Sequence, residues 1–471
     1  MSSYASLRRC LCFEQALAPF YLDEGLPFAN VLPVAVVEQV FAAEEVAFGA
    51  SNDSVFTPSV TLWAFLSQVL ENDKSCRAAV SRVLASRLAA GEPPCSQDTA
   101  AYCRARAKLP ASVLKRLALQ TGRSLEVQVP GDWLWHGKHV TLVDGTTILL
   151  PDTLANQAAY PQQSTQEVGL GFPILRMVVL LSLATACLLG MALAPYQGKE
   201  TGETALLRRL LDQVNAGEVL LADRYYCTYW LVAMAQARGS DVVFRMHHLR
   251  DYDFRRGQRL GADDHVVTWH RPKRPDWMDE TTYATIPETL AMRELRVRIT
   301  TPGCRTPEIV VVTTLTDAAT YAKDDIADLY HDRWYVEPDI RAIKQSLKME
   351  HLRCRTPSMI DKEIWVHFLG YNLVRKVSCQ AALLQEVHPR AVSFTASKQS
   401  VNAARSQMTQ ASLGERLRQG DLLLRELGKE RVGNRPDRWE PRLVKRRPKQ
   451  YKHLRVPRAE ARARLLKRRT G

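Results

Sequence analysis

The sequence predicts an α/β protein. Its core of strands and helices is interrupted by a β-rich insertion, preceded by an all-helical N-terminal domain and followed by a basic C-terminal region. Three observations carry this. Apolar strand-like runs alternate with helix-period segments from residue 136 to 247. From 248 to 307 the pattern turns irregular and strand-like, and the helical period returns after 308. The charge is confined to one end: of a net +14, residues 431–471 hold 16 Lys and Arg against Asp437, Glu440 and Glu460, and the rest of the chain is nearly neutral. With 46% hydrophobic and 24% charged residues in 471, collagen-like and wholly disordered classes are excluded. Such a tail suits a polyanion, nucleic acid being the commonest; a solvated tail without a specific partner is the other reading.

Residues 1–135 read as helical. Thr61–Asn72 (TLWAFLSQVLEN) places Leu62, Phe65, Leu66, Val69 and Leu70 at helical spacing. Ser75–Ala90 follows, and Gly91-Glu92-Pro93-Pro94 breaks the chain. Ser96 and Thr99 are placed to cap the next helix, Gln97–Lys108, which ends in Arg104, Arg106 and Lys108. Helix, break and basic helix suggest a DNA-binding unit of helix-turn-helix type using those three cations; a plain helical bundle fits equally well.

Lys138–Leu150 (KHVTLVDGTTILL) reads as two short strands joined near Gly145, and Pro151–Pro173 as a loop. Met177–Gly198 carries no charge over a length that could span a bilayer. Ser182, Thr185, Gly190 and Pro195 interrupt it, so two buried strands turning at Gly190 are expected, and no membrane. Thr201–Val214 predicts a helix, Glu218–Ala222 a strand, Tyr229–Arg238 a helix and Asp241–Met246 a strand. Glu308–Leu315 predicts the last strand, and Ala318 to about Leu384 a long helical region. The core thus spans 136–247 and 308–385, the insertion 248–307, and the helical, basic C-terminal region 386–471.

The ten cysteines, Cys10 to Cys379, form no C-x-x-C pair, the pattern of reduced thiols inside a cell. No signal core opens the chain, so secretion is not expected. His136-x-x-His139 lacks further ligands and reads as structural. No G-x-x-x-x-G-K-S/T supports an ATP-dependent mechanism.

An acid at the end of a buried strand is costly unless it pairs, caps a turn or binds a metal. Asp144 ends VTLVD and Asp223 ends EVLLAD. Alone, the first is a turn-forming Asp before Gly145 and the second a neighbour pair with Arg224. The third region reads Tyr330-His-Asp-Arg333-Trp-Tyr-Val-Glu337-Pro-Asp-Ile-Arg-Ala-Ile-Lys344. At about 100° per residue, Tyr330, Arg333, Glu337 and Lys344 project within about 60° of one another. There the Glu could hold a divalent cation while the other three grip phosphate oxygens. A solvated face with an Arg333–Glu337 pair is the alternative. Pro338 removes a helical hydrogen bond, so a kink is expected at Glu337.

Y-x-x-R-x-x-x-E-x-x-x-x-x-x-K, preceded by D-G-T-T and A-D-R-Y-Y, resembles the insertion-sequence transposases of the DDE class, in the Tyr-Arg-Glu-Lys group. FTPSVTLWAFLSQVL, Gly169-Leu170-Gly171-Phe172-Pro173 and KMEHLRCRTPSM belong to the same likeness, which runs from about Phe56 to Arg375. The resemblance implies an RNase H-like core with its three catalytic, metal-binding acids at Asp144, Asp223 and Glu337. Their separations are 79 and 114 residues, the second stretched by the insertion. It implies contacts of Tyr330, Arg333 and Lys344 with transposon-end DNA, and an insertion aromatic, Trp269 or Trp277, stacked on a displaced base.

The implied chemistry uses two Mg²⁺ ions about 3.5–4 Å apart, with Mn²⁺ able to substitute. Asp144 would bridge both ions, with Asp223 and Glu337 each completing one side. The expected function is cleavage of the element's ends and their joining to target DNA, by hydrolysis and transesterification. Expected partners are double-stranded DNA (terminal inverted repeats and target) and a second copy of the chain, a homodimer on DNA, in the bacterial cytoplasm at the nucleoid. A catalytically inactive transposase-derived DNA-binding protein and another RNase H-like nuclease are the alternatives. The presence of all six motif residues argues against the first, and the Tyr330, Arg333 and Lys344 face, which points to end recognition, against the second.

Overall fold

A computed structural model describes residues 34–51, 54–89, 91–298, 308–410, 412–433 and 452–467. Cys10, Cys12, Cys304 and much of the basic tail lie outside them. Five helices come first: α1 (Val34–Ala43), α2 (Pro58–Leu70), α3 (Cys76–Ala89), α4 (Ala100–Lys108) and α5 (Ala111–Glu126). Pro58 opens α2, where its missing N–H costs nothing, and Thr57 accepts the Val60 N–H at 3.4 Å. Leu62, Phe65, Leu66 and Val69 of α2 join the main core. Trp63 and Ala64 instead close a small core with α3 and α4 through Val80, Val83 and Tyr102. Thr99 makes no side-chain cap on α4; Asp98 accepts the Ala100 N–H at 3.2 Å in its place.

Nine strands form one sheet in the order β3-β2-β1-β4-β5-β9-β8-β7-β6. They are β1 (Val140–Leu149), β2 (Ile174–Ser182), β3 (Leu188–Pro195), β4 (Val219–Ala222), β5 (Asp241–Arg245), β6 (Gln258–Gly261), β7 (Asp264–His270), β8 (Thr289–Arg298) and β9 (Glu308–Thr313). β1, β4 and β5 are parallel, and every other pairing is antiparallel. Short helices α6 (Leu154–Ala159), α7 (Glu203–Arg208), α8 (Tyr229–Gln236) and α9 (Glu280–Thr285) lie in the connections. α10 (Lys323–Asp332), α11 (Val336–Arg341), α12 (Pro357–Leu384), α13 (Phe394–Gln410), α14 (Leu413–Leu427) and α15 (Arg458–Lys467) complete the chain.

Two expectations about glycine fail, for one reason. β1 is a single strand: Gly145 pairs with Val178 in mid-ladder instead of turning. A Cβ on Gly145 would stand 2.4 Å from the Glu203 carboxyl carbon, so the glycine admits a neighbour. Gly190 likewise lies within β3, where Gln213 Oε1 would be 2.7 Å from its Cβ. The β2–β3 turn falls at residues 183–187, where Ser182 Oγ accepts the Thr185 N–H at 3.0 Å. The uncharged run is therefore two buried strands, and no helix among the described residues is long and apolar enough to cross a membrane.

Alternation along the strands builds a core on each side of the sheet. Val140, Leu142, Val219, Leu221 and Val243 face α5, α10 and α12, while Val143, Leu220, Ala222, Val242 and Phe244 face α7 and α8. The 28-residue α12 packs against α2, α5, α13 and α14, joining the helical N-terminal part to the core. The insertion strands extend the core sheet, since β8 pairs with β9 from Arg293–Thr313 to Arg298–Glu308. The seven described cysteines are free thiols.

Candidate active site

β1 and β4 pair in parallel, with Val140 opposite Val219 and Leu142 opposite Leu221. Parity along β1 puts Asp144 on the side that Leu142 shares with α10 and α12, and Asp223 follows in the turn just past β4. Asp144 Oδ1 accepts the Gly145 N–H at 2.8 Å, and Asp223 Oδ1 accepts the Tyr225 N–H at 2.8 Å, closing the turn after β4. Burial pushes the Asp144 carboxyl up to about 6, and the charges of Asp223 and Glu203 add to it; the Gly145 N–H and Arg333 pull the other way. The Glu203 carboxyl is raised by burial and then by Asp223, and it accepts from Tyr226 Oη at 3.3 Å.

The segment carrying the other motif residues is not a uniform helix. α10 ends at Asp332, a 3₁₀ turn spans Arg333–Tyr335, α11 covers Val336–Arg341, and a π turn covers Ala342–Ser346. Pro338 sits within the first turn of α11, so the tightening precedes Glu337 instead of breaking the helix at it. Tyr330 is buried, which raises its hydroxyl to about 12 and keeps it a donor. Arg333 is 8% exposed, packs on Trp334 at 4.5 Å, and its buried Nε has no hydrogen-bond partner among the described residues. Lys344 reaches from the π turn back to β1, donating to Thr146 Oγ1 at 3.2 Å and the Thr147 carbonyl at 3.0 Å. The extra residue in that turn, not a regular period, sets where Lys344 points.

Glu337 is exposed and forms no hydrogen bond or ion pair among the described residues. Two positions on, Asp339 is buried, accepting from Arg375 Nη2 at 2.7 Å and Arg390 Nη1 at 2.8 Å. Arg390 also donates to the Ser182 and Leu183 carbonyls at 2.7 and 2.5 Å, tying α11 to the β2–β3 turn.

Other expected residues are placed differently. Arg104 and Lys108 line a cavity of about 400 Å³ with Phe48, Phe56 and Asp98. Arg106 turns inward, donating to Gln68 Oε1 at 3.1 Å and lying over Phe65 and Tyr102, so it does not share the face of the other two cations. Trp269 is 3% exposed, its Nε1 donates to Glu294 at 3.0 Å, and Arg250 covers its ring at 3.6 Å. Trp277 is half-buried with Arg208 on its ring at 3.6 Å. An arginine thus lies on a face of each of the two rings expected to stack on a base. His136 and His139 bind different carboxylates, Asp325 at 3.2 Å and Glu126 at 2.8 Å.

Sequence reasoning missed a cationic cleft beside Asp223. Arg224, Arg245, His247, His248, Arg250 and Tyr252 line about 180 Å³. The basic run at the end of β5, FRMHHLR, was its visible signal.

Among the described residues no three His, Cys, Asp or Glu side chains gather closely enough to hold one metal ion, Asp144, Asp223 and Glu337 included. The Asp144–Asp223 pair itself fits a hard divalent cation. It offers only carboxylate oxygens, and a dication would favour the charged form that burial, with the charges of Asp223 and Glu203 behind it, disfavours at Asp144.

A family model described as the transposase DDE domain matches residues 135–373. The transposase InsG of insertion sequence element IS4, from Escherichia coli strain K12, is 25% identical over 402 residues, covering 83% of this chain and 85% of that protein. The solved piggyBac transposase synaptic complex with hairpin DNA covers 88% of this chain and 85% of its own, at 10% identity and a TM-score of 0.38, too loose a likeness to carry an argument.

Proposed function

This chain belongs to the transposase DDE domain family, and from that premise we propose that it cuts the ends of its own insertion element and joins them to target DNA, using Asp144, Asp223 and Glu337 as its metal-holding acids. The observation that carries the reading is the placement of Asp144 on β1 within the fields of Asp223, just past β4, and of a buried Arg333 whose Nε lacks a partner among the described residues. An RNase H-like core is the fold this reading assigns to β1–β5 and their helices.

Bound Mg²⁺, or Mn²⁺ in its place, supplies a water nucleophile near neutral pH and screens the phosphate charge. The protein's own residues do the rest. Asp144, midway along β1, and Asp223, just past the end of β4, fix the position of the scissile phosphate. Glu337, exposed and unpaired, supplies the third carboxylate. Arg333 turns its orphaned N–H to a phosphate oxygen, where a charge-assisted bond recovers what burial costs it. Tyr330 donates from a hydroxyl that burial keeps protonated, and Lys344 adds a cation above β1. The cationic cleft beside Asp223 receives the backbone next to the cut. Two ends cut and joined call for two copies of the chain on duplex DNA, in the bacterial cytoplasm at the nucleoid.

The test is incubation of the protein with DNA carrying the flanks of its own gene, with and without Mg²⁺ or Mn²⁺, beside Glu337→Gln. Metal-dependent cuts at defined ends, lost in the variant while end binding persists, are expected. Wild-type binding without any cut overturns the reading in favour of an inactive DNA-binding relative.

A further inference from the structure

We propose that Lys74, in the helical N-terminal part, is a positioning residue for Lys344 and the β1 acid site. The inference rests on the reading of Lys344 as a contact of the reacting DNA.

The π turn leaves its helix abruptly. Leu347 N–H bonds to the Ala342 carbonyl at 3.0 Å, and Lys348 then adopts a left-handed φ of 52°. The carbonyls at that exit are met by lysine amines from two other elements. Lys398 of α13 donates to Ser346 O at 2.7 Å, and Lys74 donates to Leu347 O. Cations suit this end of a helix, where carbonyls point outward. Lys74 is 5% exposed and Leu347 fully buried, so water cannot replace the amine there.

The second partner of Lys74 fixes its direction. His367 Nδ1 lies 2.8 Å from the Glu363 carbonyl and must carry the ring proton, which leaves Nε2 to accept from Lys74 Nζ at 2.9 Å. Lys74 is held from its other end as well. Its carbonyl accepts from Gln68 Nε2 at 2.7 Å, while Gln68 Oε1 accepts from Tyr102 Oη at 2.7 Å and Arg106 Nη1 at 3.1 Å. Tyr102 and Arg106 belong to α4, the helix that carries Arg104 and Lys108 on its cavity-lining side.

A continuous run of buried polar contacts therefore joins α4 to the π turn, and Lys344 continues it to Thr146 and Thr147, two and three residues past Asp144. Without the Lys74 amine, the Leu347 carbonyl and His367 nitrogen lose a buried donor. The turn then relaxes, and Lys344 loses its register on β1. Arg106, which presents no free face to DNA, acquires a role here as an inner member of the same chain of contacts.

The experiment compares Lys74→Met, Lys344→Met and the double variant on duplex DNA carrying the flanks of the gene, reading end binding and cleavage rate separately. Lys74→Met is expected to bind within about threefold of wild type and to cleave at least about tenfold more slowly, as a small misplacement of a reacting group does. The double variant is expected to cleave no more slowly than Lys344→Met alone, because one residue acts through the other. Lys74→Arg, which keeps a charged donor, should recover most of the rate. Wild-type cleavage by Lys74→Met, or losses that multiply in the double variant, overturn the inference. If Lys74→Met does not fold, Lys398→Met, which unties Ser346, is compared with Lys344→Met in the same cycle with the same two outcomes. A wild type that does not cleave overturns the proposed reaction and this inference together, whereas a cleaving wild type beside an indifferent Lys74→Met overturns this inference alone.

Discussion

Asp144 on β1 lies within the field of Asp223 in the turn just past β4, and burial first, then that charge, raises its carboxyl from 3.8 to about 6. Without metal, the folded chain keeps a proton on Asp144 that the unfolded chain has released between about pH 4 and pH 6. The stability of the neutral acid is thus fully present below about pH 4 and lost as pH rises through about 6. Asp144→Asn is neutral throughout, so it should stabilise the metal-free protein at pH 8 by about 1–3 kcal/mol and change it little at pH 4. Urea unfolding in a chelator at both pH values measures this. Equal stability of the two proteins at pH 8 counts against a buried Asp144 with a raised carboxyl.

Asp339 holds two buried guanidinium groups. Asp339→Ala leaves both without their shared carboxylate and should cost about 3–5 kcal/mol in denaturant unfolding. Cleavage should fall with it in any folded fraction, because α11 loses its tie to the β2–β3 turn. A loss below about 1 kcal/mol, the size of an exposed pair, would show that the network does not hold the helix.

Two glycines separate packing from chemistry. A Cβ on Gly122 would stand 2.1 Å from the Leu188 carbonyl, where only backbone can yield, and 3.0 Å from the Asn372 amide that bridges Ala118 and Leu188. Gly122→Ala should cost about 3 kcal/mol or more. At Gly145 the obstacle is the end of the Glu203 side chain, which can swing aside. Gly145→Ala should therefore cost about 1 kcal/mol or less while slowing cleavage, because Glu203 is displaced beside Asp144. Thermal melts and cleavage rates on the pair read the contrast, and equal melting losses would remove it.

Truncation after Gly433 removes 15 lysines and arginines but keeps the Val392–Arg431 bridge and the Val432 N–H bond to the Ala391 carbonyl at 2.8 Å. The core should melt as before. Duplex binding should weaken, with the salt slope flattening by about 0.9 for each phosphate that the tail neutralises in the full chain. An unchanged slope means that the tail touches no DNA.

Local pattern made much of the architecture legible. VLLA before Asp223, EIVVVT before the last helices and the α2 stripe all fell where apolar spacing put them. The order of the motif acids along the chain was legible too, because it is a property of sequence alone. What escaped depended on distant neighbours. Gly145 looked like a turn because nothing nearby reveals that Glu203, 58 residues on, occupies the space of its missing side chain. Trp269 looked available because Glu294 and Arg250, which bury it, meet it only in the folded insertion. Arg106 looked like a surface cation until Gln68, Phe65 and Tyr102 enclosed it. A uniform helical period could not foresee a 3₁₀ and a π turn ten residues apart, which tertiary contacts with β1, Lys74 and Lys398 stabilise.

The ladder between β8 and β9 has a mechanical consequence. Torque applied to β6–β8 passes through backbone hydrogen bonds into β9, then β5, then β4 and the turn that holds Asp223. Across those strands the insertion and the acid rotate as parts of one stiff plate. Whatever turns the insertion can reorient Asp223 through these strands only by twisting the sheet as a whole.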